Sequence, residues 1–201
     1  MQKAQQEGRW FAPTVSALRG HTVGIVGFGS IGKEVANLSL AFGMHVTVMR
    51  RSVSAKDSGD ERIVHLTGRE GLEAVLKCDY VVIAAPLTPE TRDMIGAGEI
   101  SMMKSTAVLV NVGRGEIVVE PALVSALKRR AIKGAVLEVF CEEPLPEGHE
   151  LYGLDNVVVA AHCADCTTDQ LQHTMRILEE NLVNFAKNGP LINVVDKSAG
   201  Y

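Results

Sequence analysis

Arg114, Glu143 and His162 are the residues of this 201-residue chain whose types and surroundings could do chemistry. Each sits in its own short motif: Asn111-Val-Gly-Arg114-Gly115, Glu142-Glu143-Pro144-Leu-Pro146 and Ala161-His162-Cys163. A cation, a carboxylate and an imidazole are what a 2-keto acid needs if its carbonyl is to be reduced. The cation holds the substrate carboxylate, the imidazole protonates the carbonyl oxygen, and the second carboxylate favours the protonated imidazole, so that a proton stays available near neutral pH. A glycine-rich Gly27-Phe-Gly29-Ser-Ile-Gly32 earlier in the chain would supply the dinucleotide that brings the hydride. Together these point to a dehydrogenase.

The elements that must position these residues read as parallel βαβ units, because short β-branched runs alternate with helical patterns. Strands are expected at residues 22–27, 45–49, 80–84, 107–110, 132–139 and 157–160, and helices at 31–42, 71–77 and 121–130. The apolar runs are nearly continuous, as in strands covered by helices on both faces. The fold class is therefore α/β, a doubly wound parallel sheet of Rossmann type over residues 20–166. Residues 1–19 read as an N-terminal helical segment containing the sole Trp10. Residues 167–201 read as a long amphipathic helix, with Leu171, Met175, Leu178, Leu182 and Phe185 at three- and four-residue steps, and then an extended tail. That stripe needs a partner surface.

The glycines have separate jobs. Gly27 permits a tight turn, Gly29 lets backbone approach a pyrophosphate, and Gly32 lets helix pack on strand. The pyrophosphate then meets the free N–H groups and positive end of a helix beginning near Ser30 and Ile31. Alone, G-x-G-x-x-G is a weak signal; between a clean strand and a clean helix it reads as a dinucleotide site. An NAD enzyme usually places an acid about 20 residues on, for the ribose 2′-OH. Between Glu34 and Asp57 this chain has none, and Arg50-Arg51-Ser52 stands there instead. Two guanidinium groups and a hydroxyl suit a 2′-phosphate, so NADP is expected, with NAD as the alternative and two solvated surface arginines as the plain reading. Pro86, Leu87 and Thr88 follow a strand end, where loops at the carboxyl edge of the sheet meet the cofactor.

The order of these motifs resembles the D-isomer-specific 2-hydroxyacid dehydrogenases, a family that includes glyoxylate/hydroxypyruvate reductases and phosphoglycerate dehydrogenases. The matching segments are Gly27–Gly32, Ala85-Pro-Leu-Thr-Pro-Glu-Thr-Arg92, Asn111–Gly115, Ala135-Val-Leu-Glu-Val-Phe140 with Glu143–Pro146, Ala161-His162, and the closing Asn193-Val-Val-Asp-Lys with Gly200-Tyr201. The resemblance implies that Arg114 binds the substrate carboxylate and carbonyl, that His162 is the acid/base, and that Glu143 is its partner. It also implies that Thr88, Val112 and Gly113 lie near the cofactor's ribose and nicotinamide. The family commonly has Asp where Glu138 stands, contacting the nicotinamide carboxamide; the extra methylene displaces that contact. Ala161 stands where the family usually has Pro. Family members carry most of a substrate domain ahead of this point, so the resemblance implies that residues 167–201 belong to an incomplete copy of it. It further implies a homodimer, paired through the Trp10 region and residues 122–130.

Composition narrows the alternatives. With 20 basic and 24 acidic side chains and a net charge of -4, nothing favours nucleic acid as a partner. No apolar run reaches the roughly 18 residues of a membrane span and the N-terminus is no signal peptide, so a soluble cytoplasmic protein is expected. Of the four cysteines, Cys163 and Cys166 form a C-x-x-C, which raises a zinc or redox reading; a lone C-x-x-C is a weak signal, a zinc site would want a second ligand pair and none exists, so no metal is expected. The plain reading is two small buried or half-buried side chains beside a catalytic loop. The remaining histidines (His21, His45, His65, His149, His173) read as structural or surface residues. The expected substrate is a small 2-keto acid such as glyoxylate or hydroxypyruvate. Two alternatives stand: a non-catalytic dinucleotide-binding module of the co-repressor kind, and a fragment that binds nucleotide without turnover.

Overall fold

The strands form where β-branched and apolar runs are bounded by turns, and seven of them make a single parallel sheet in a computed structural model describing residues 2–52 and 60–197. They are β1 (Thr22–Val26), β2 (His45–Met49), β3 (Ile63–Leu66), β4 (Tyr80–Ile83), β5 (Val108–Asn111), β6 (Gly134–Leu137) and β7 (Val157–Val159). The order across the sheet is β3-β2-β1-β4-β5-β6-β7. The chain first winds outward from β1 to β3, then returns to the other side of β1 and continues to β7. That reversal between β1 and β4 is the topological switch point, where open α/β sheets bind ligands beyond their carboxyl ends. The pairing sets Val26 beside Ile83 and Ile83 beside Asn111, which aligns the strand ends at one edge.

The helices are α1 (Gln2–Gln6), α2 (Ser30–Ala41), α3 (Gly68–Leu76), α4 (Ala97–Met102), α5 (Glu120–Lys128) and α6 (Gln170–Ala186). Successive strand side chains point to opposite faces, and two cores result. Val26, Val81, Ile83 and Leu109 pack with Leu72, Val75 and Leu76 of α3 and with Leu123 and Leu127 of α5. Ile25, Val46, Val48 and Val82 pack with Ala36 of α2. The close approach of α3 to the sheet needs Gly24, because a Cβ there would lie 2.5 Å from the Val75 carbonyl oxygen. At α5, Pro121 sits in the first turn, where its missing N–H costs nothing.

Two elements were not anticipated. β3 reads Ile-Val-His-Leu, too short and too mixed to stand out, and it is an edge strand held by β2 alone. α4 has only six residues. The expected N-terminal helical segment is helical only over Gln2–Gln6; residues 9–17 carry no regular element and leave Trp10 93% exposed. The expected helices and strands otherwise stand where the patterns put them, with ends moved by no more than three residues. The covering of both sheet faces is uneven, since Val158 of β7 is exposed. α6 buries none of its residues, and its tail folds back through paired hydrogen bonds between the Asn181 amide and the backbone of Ile192. Gly200 and Tyr201, part of the family-like terminus, lie outside the described residues, as does Asp57.

Candidate functional site

The loops leaving the carboxyl ends of the parallel strands, with the first turn of α2, carry the sequence-selected groups. Gly27 follows β1, Arg50 follows β2, Pro86 follows β4, Arg114 follows β5, Glu143 follows β6 and His162 follows β7. A cleft of about 950 Å³ opens along this edge at the switch point. It is lined by Gly27, Gly29, Ser30, Ile31, Arg50, Arg51, Ser52, Pro86, Thr88, Val112, Gly113 and Arg114 among others. That size suits a large organic ligand.

Gly27 takes φ +94°, and a Cβ there would lie 2.8 Å from the Ala85 backbone, so the turn after β1 and the end of β4 fit only around a glycine. Gly32 stands behind the cleft wall rather than in it: its Cβ would meet the Gly27 carbonyl oxygen at 2.2 Å. Gly29 differs from both. A Cβ there meets nothing within 4 Å, so its lack of side chain serves the open side, where a ligand's phosphates can approach. Gly29 also caps α2 without a side-chain hydrogen bond, and the first turn holds no acidic residue. The free N–H groups and positive dipole end of a twelve-residue helix therefore face the cleft with no competing carboxylate on that turn. These features fit a dinucleotide.

Several residues in and around the cleft wall escaped the sequence reading. The Arg50 guanidinium lies 5.6 Å from the Phe28 ring centroid, and Phe28 in turn packs edge-on against His65 at 4.9 Å. This stack steadies the base of the Arg50 side chain at the end of β2. Thr91 fastens the loop after β4: its hydroxyl donates to the Pro86 carbonyl at 2.7 Å and accepts from the Thr88 amide at 2.8 Å. Asn111 is fully buried and staples the Arg114 turn, donating to the Arg114 carbonyl at 2.9 Å and accepting from the Gly113 amide at 3.1 Å. Both Thr91 and Asn111 lie inside the recognised motifs, so their motif positions were the available signal.

His162 and Glu143 meet. Nδ1 of His162 is 2.7 Å from Glu143 Oε2, and Glu143 Oε1 accepts from the Phe140 amide at 2.9 Å. Partial burial pushes the Glu143 carboxyl up. The His162 hydrogen bond, the Phe140 amide and the charges of His162 and Arg114 outweigh it, and the group stays below the ordinary carboxylate range. Side-chain exposures of 43% for His162 and 34% for Glu143 leave the pair reachable from solvent. Neither lines the cleft itself; Arg114 does, and it lies within electrostatic reach of Glu143.

Glu138, expected at the nicotinamide carboxamide, makes its hydrogen bonds here to backbone amides. Its Oε1 accepts from the amides of Cys163 at 2.6 Å and Ala164 at 2.7 Å, and its carbonyl accepts from the His162 amide at 3.0 Å. One residue thus holds three successive amides. His162 adopts φ +48°, a left-handed conformation that costs about 1–3 kcal/mol and persists where its surroundings over-determine it. Glu138 supplies that determination. The cysteines also depart from expectation, since Cys163 and Cys166 are both exposed free thiols, not buried or half-buried ones. Among the described residues no group of three or more His, Cys, Asp or Glu side chains gathers to hold a metal, and no helix is long and apolar enough to cross a membrane.

Residues 1–164 match the family model described as D-isomer specific 2-hydroxyacid dehydrogenase, NAD binding domain. The chain is 42% identical over 184 residues to a glyoxylate reductase of Aeropyrum pernix, covering 90% of this chain and 53% of that protein. It is 35% identical over 196 residues to a D-3-phosphoglycerate dehydrogenase of Archaeoglobus fulgidus, covering 96% of this chain and 37% of that one. Among solved structures, a D-isomer specific 2-hydroxyacid dehydrogenase from Xanthobacter autotrophicus, in complex with NADPH and MES, superposes with a TM-score of 0.87 at 33% identity, covering 100% of this chain and 81% of that one. The NADPH-dependent glyoxylate/hydroxypyruvate reductase of Sinorhizobium meliloti, in complex with NADP and sulfate, gives a TM-score of 0.87 at 29% identity, with coverages of 100% and 63%. The chain spans about half the length of the glyoxylate reductases it matches.

Proposed function

Because this chain belongs to the D-isomer-specific 2-hydroxyacid dehydrogenase family, we propose that it transfers a hydride between NADP(H) and a small 2-keto or 2-hydroxy acid of D configuration, with glyoxylate or hydroxypyruvate as the acid. The observation that carries this reading is the 2.7 Å contact of His162 with Glu143, beyond the same sheet edge as Arg114 and the dinucleotide cleft. NADPH, when bound, supplies the hydride for the carbonyl carbon. Arg114 holds the substrate carboxylate and stabilises the charge that develops on the carbonyl oxygen. His162 gives its proton to that oxygen from Nε2, because Nδ1 is engaged by Glu143. Glu143, its carboxyl held low, stays ionised and orients the imidazole through Nδ1. Glu138 keeps His162 at its station without touching the reacting atoms.

Arg50, Arg51 and Ser52 support NADP over NAD, since they line the cleft beyond β2 where a 2′-phosphate would need cations. The NADP complexes of similar proteins agree with this. A homodimer belongs to the same proposal, with the bare Trp10 as part of the contact; sedimentation of the wild type against W10A tests it. A second reading, nucleotide binding without turnover, is favoured by the exposed apolar stripe of α6, which contributes no residue to the cleft lining.

Nicotinamide absorbance decides between them. The purified chain should oxidise NADPH with glyoxylate or hydroxypyruvate and, in reverse, reduce NADP with D-glycerate but not L-glycerate. A strong preference for NADH would overturn the cofactor assignment. Binding of NADPH with no turnover of either acid would leave the second reading.

A further inference from the structure

The dehydrogenase reading gives no work to Cys163 and Cys166, which follow the imidazole directly. Cys166 donates its amide to the Cys163 carbonyl at 3.0 Å, the hydrogen bond of a four-residue turn. Such a turn brings its first and fourth Cα within about 7 Å, and a disulfide wants about 4.4–6.8 Å. Both side chains are exposed free thiols, whereas Cys78 is buried. The thiols also feel each other electrostatically. The turn is clasped at its start by the Glu138 carboxylate, through the amides of Cys163 and Ala164.

We propose that Cys163 and Cys166 are a reversible dithiol–disulfide site, oxidised by hydrogen peroxide, that alters the setting of His162. The Cys163 thiolate attacks one peroxide oxygen; the O–O bond breaks, water leaves after protonation, and Cys163 becomes a sulfenic acid. The Cys166 sulfur then attacks the Cys163 sulfur, the S–O bond breaks, and a second water leaves. The two thiols lose two electrons and two hydrogens, and the peroxide gains them. Desolvation, then the Asp165 carboxylate, push the Cys166 thiol up, so its attack depends on being held within the same turn as Cys163. The new bond ties Cys163 to Cys166 while Glu138 still grips the amides beside His162, so the imidazole's backbone loses its freedom to adjust. The meaning of this for turnover rests on the proposed function; the disulfide itself does not.

The test treats the purified chain with hydrogen peroxide, alkylates it under denaturing conditions with iodoacetamide, and weighs the chymotryptic peptide from Asp155 to Leu171, which contains no other cysteine. The expected result is a peptide lighter by two hydrogens and closed to alkylation, restored by dithiothreitol. In C166S, dimedone should instead trap a sulfenic acid on Cys163. In the same samples the His162 ring-proton resonance, assigned with H162A, should move on oxidation and return on reduction. Two alkylatable thiols after peroxide, or a bond to Cys141 or to another chain, would overturn the site. An unmoved His162 resonance in the oxidised protein would overturn its link to the imidazole.

Discussion

At the scale of single residues, the proposed reaction is divided among a cation, a carboxylate and an imidazole, and each should fail in its own way. Removing the imidazole removes the proton donor, so H162A should lower kcat by about 10²–10⁴-fold while NADPH binding, read by fluorescence, stays within twofold. Glu138 acts one step back. Its carboxylate accepts two amides through one oxygen, a role the carbonyl of Gln can keep. E138Q should therefore retain most of the activity of the wild type, and E138A should lose at least tenfold in kcat with little change in KM. Equal losses in the two variants would show that the charge of Glu138, and not its clasp, is what matters. The identities of Arg114, Glu143 and His162 were legible in the sequence because each sits in a distinctive motif. The clasp was not, since it depends on one extra methylene finding two amides twenty-five and twenty-six residues away.

The elements place those residues, and the sequence announced most of them. β1 and β4 are nearly continuous apolar runs and β2 alternates, patterns that a strand reading finds directly, while β3 and α4 are short and owe their form to tertiary pairing. The Gly27 turn shows how sequence spacing becomes geometry. With its Cβ 2.2 Å from the Gly27 carbonyl, G32A must push α2 off the sheet, costing about 1–3 kcal/mol of stability and weakening NADPH binding with it. G29A, facing open space, should fold normally and lose nucleotide affinity alone. Calorimetry and fluorescence titration separate the two. Asp79 ties the start of β4 to β1: it accepts from the Thr22 amide and hydroxyl, and Lys104 donates to it at 2.7 Å. Burial pushes its carboxyl up, but Lys104 and Thr22 outweigh this and hold it well below its ordinary 3.8. A depressed carboxyl contributes stability that is complete above the unfolded value and is lost as pH falls through the folded one. The wild type should therefore lose stability below about pH 4, and D79N should start lower and show a flatter decline in thermal melts over the same range.

For the whole molecule, the parallel sheet gathers every reactive loop at one edge, so nucleotide specificity and acid–base chemistry can be separated by mutation. R50A/R51A should weaken NADPH by tenfold or more, about 1.4 kcal/mol, while leaving NADH nearly unchanged. α6 illustrates the limit of reading a chain from its pattern. Its amphipathic stripe was plain, yet Leu182 is 60% and Phe185 73% exposed, because periodicity reveals that a face is apolar and not what covers it. The chemistry, by contrast, depends on loops whose positions the sheet order already dictates. The most direct test is therefore NADPH oxidation with glyoxylate, measured side by side for the wild type and H162A. Turnover in the wild type that falls by at least a hundredfold in H162A is the predicted result. Turnover that survives loss of the imidazole would contradict the assignment of His162 as the proton donor.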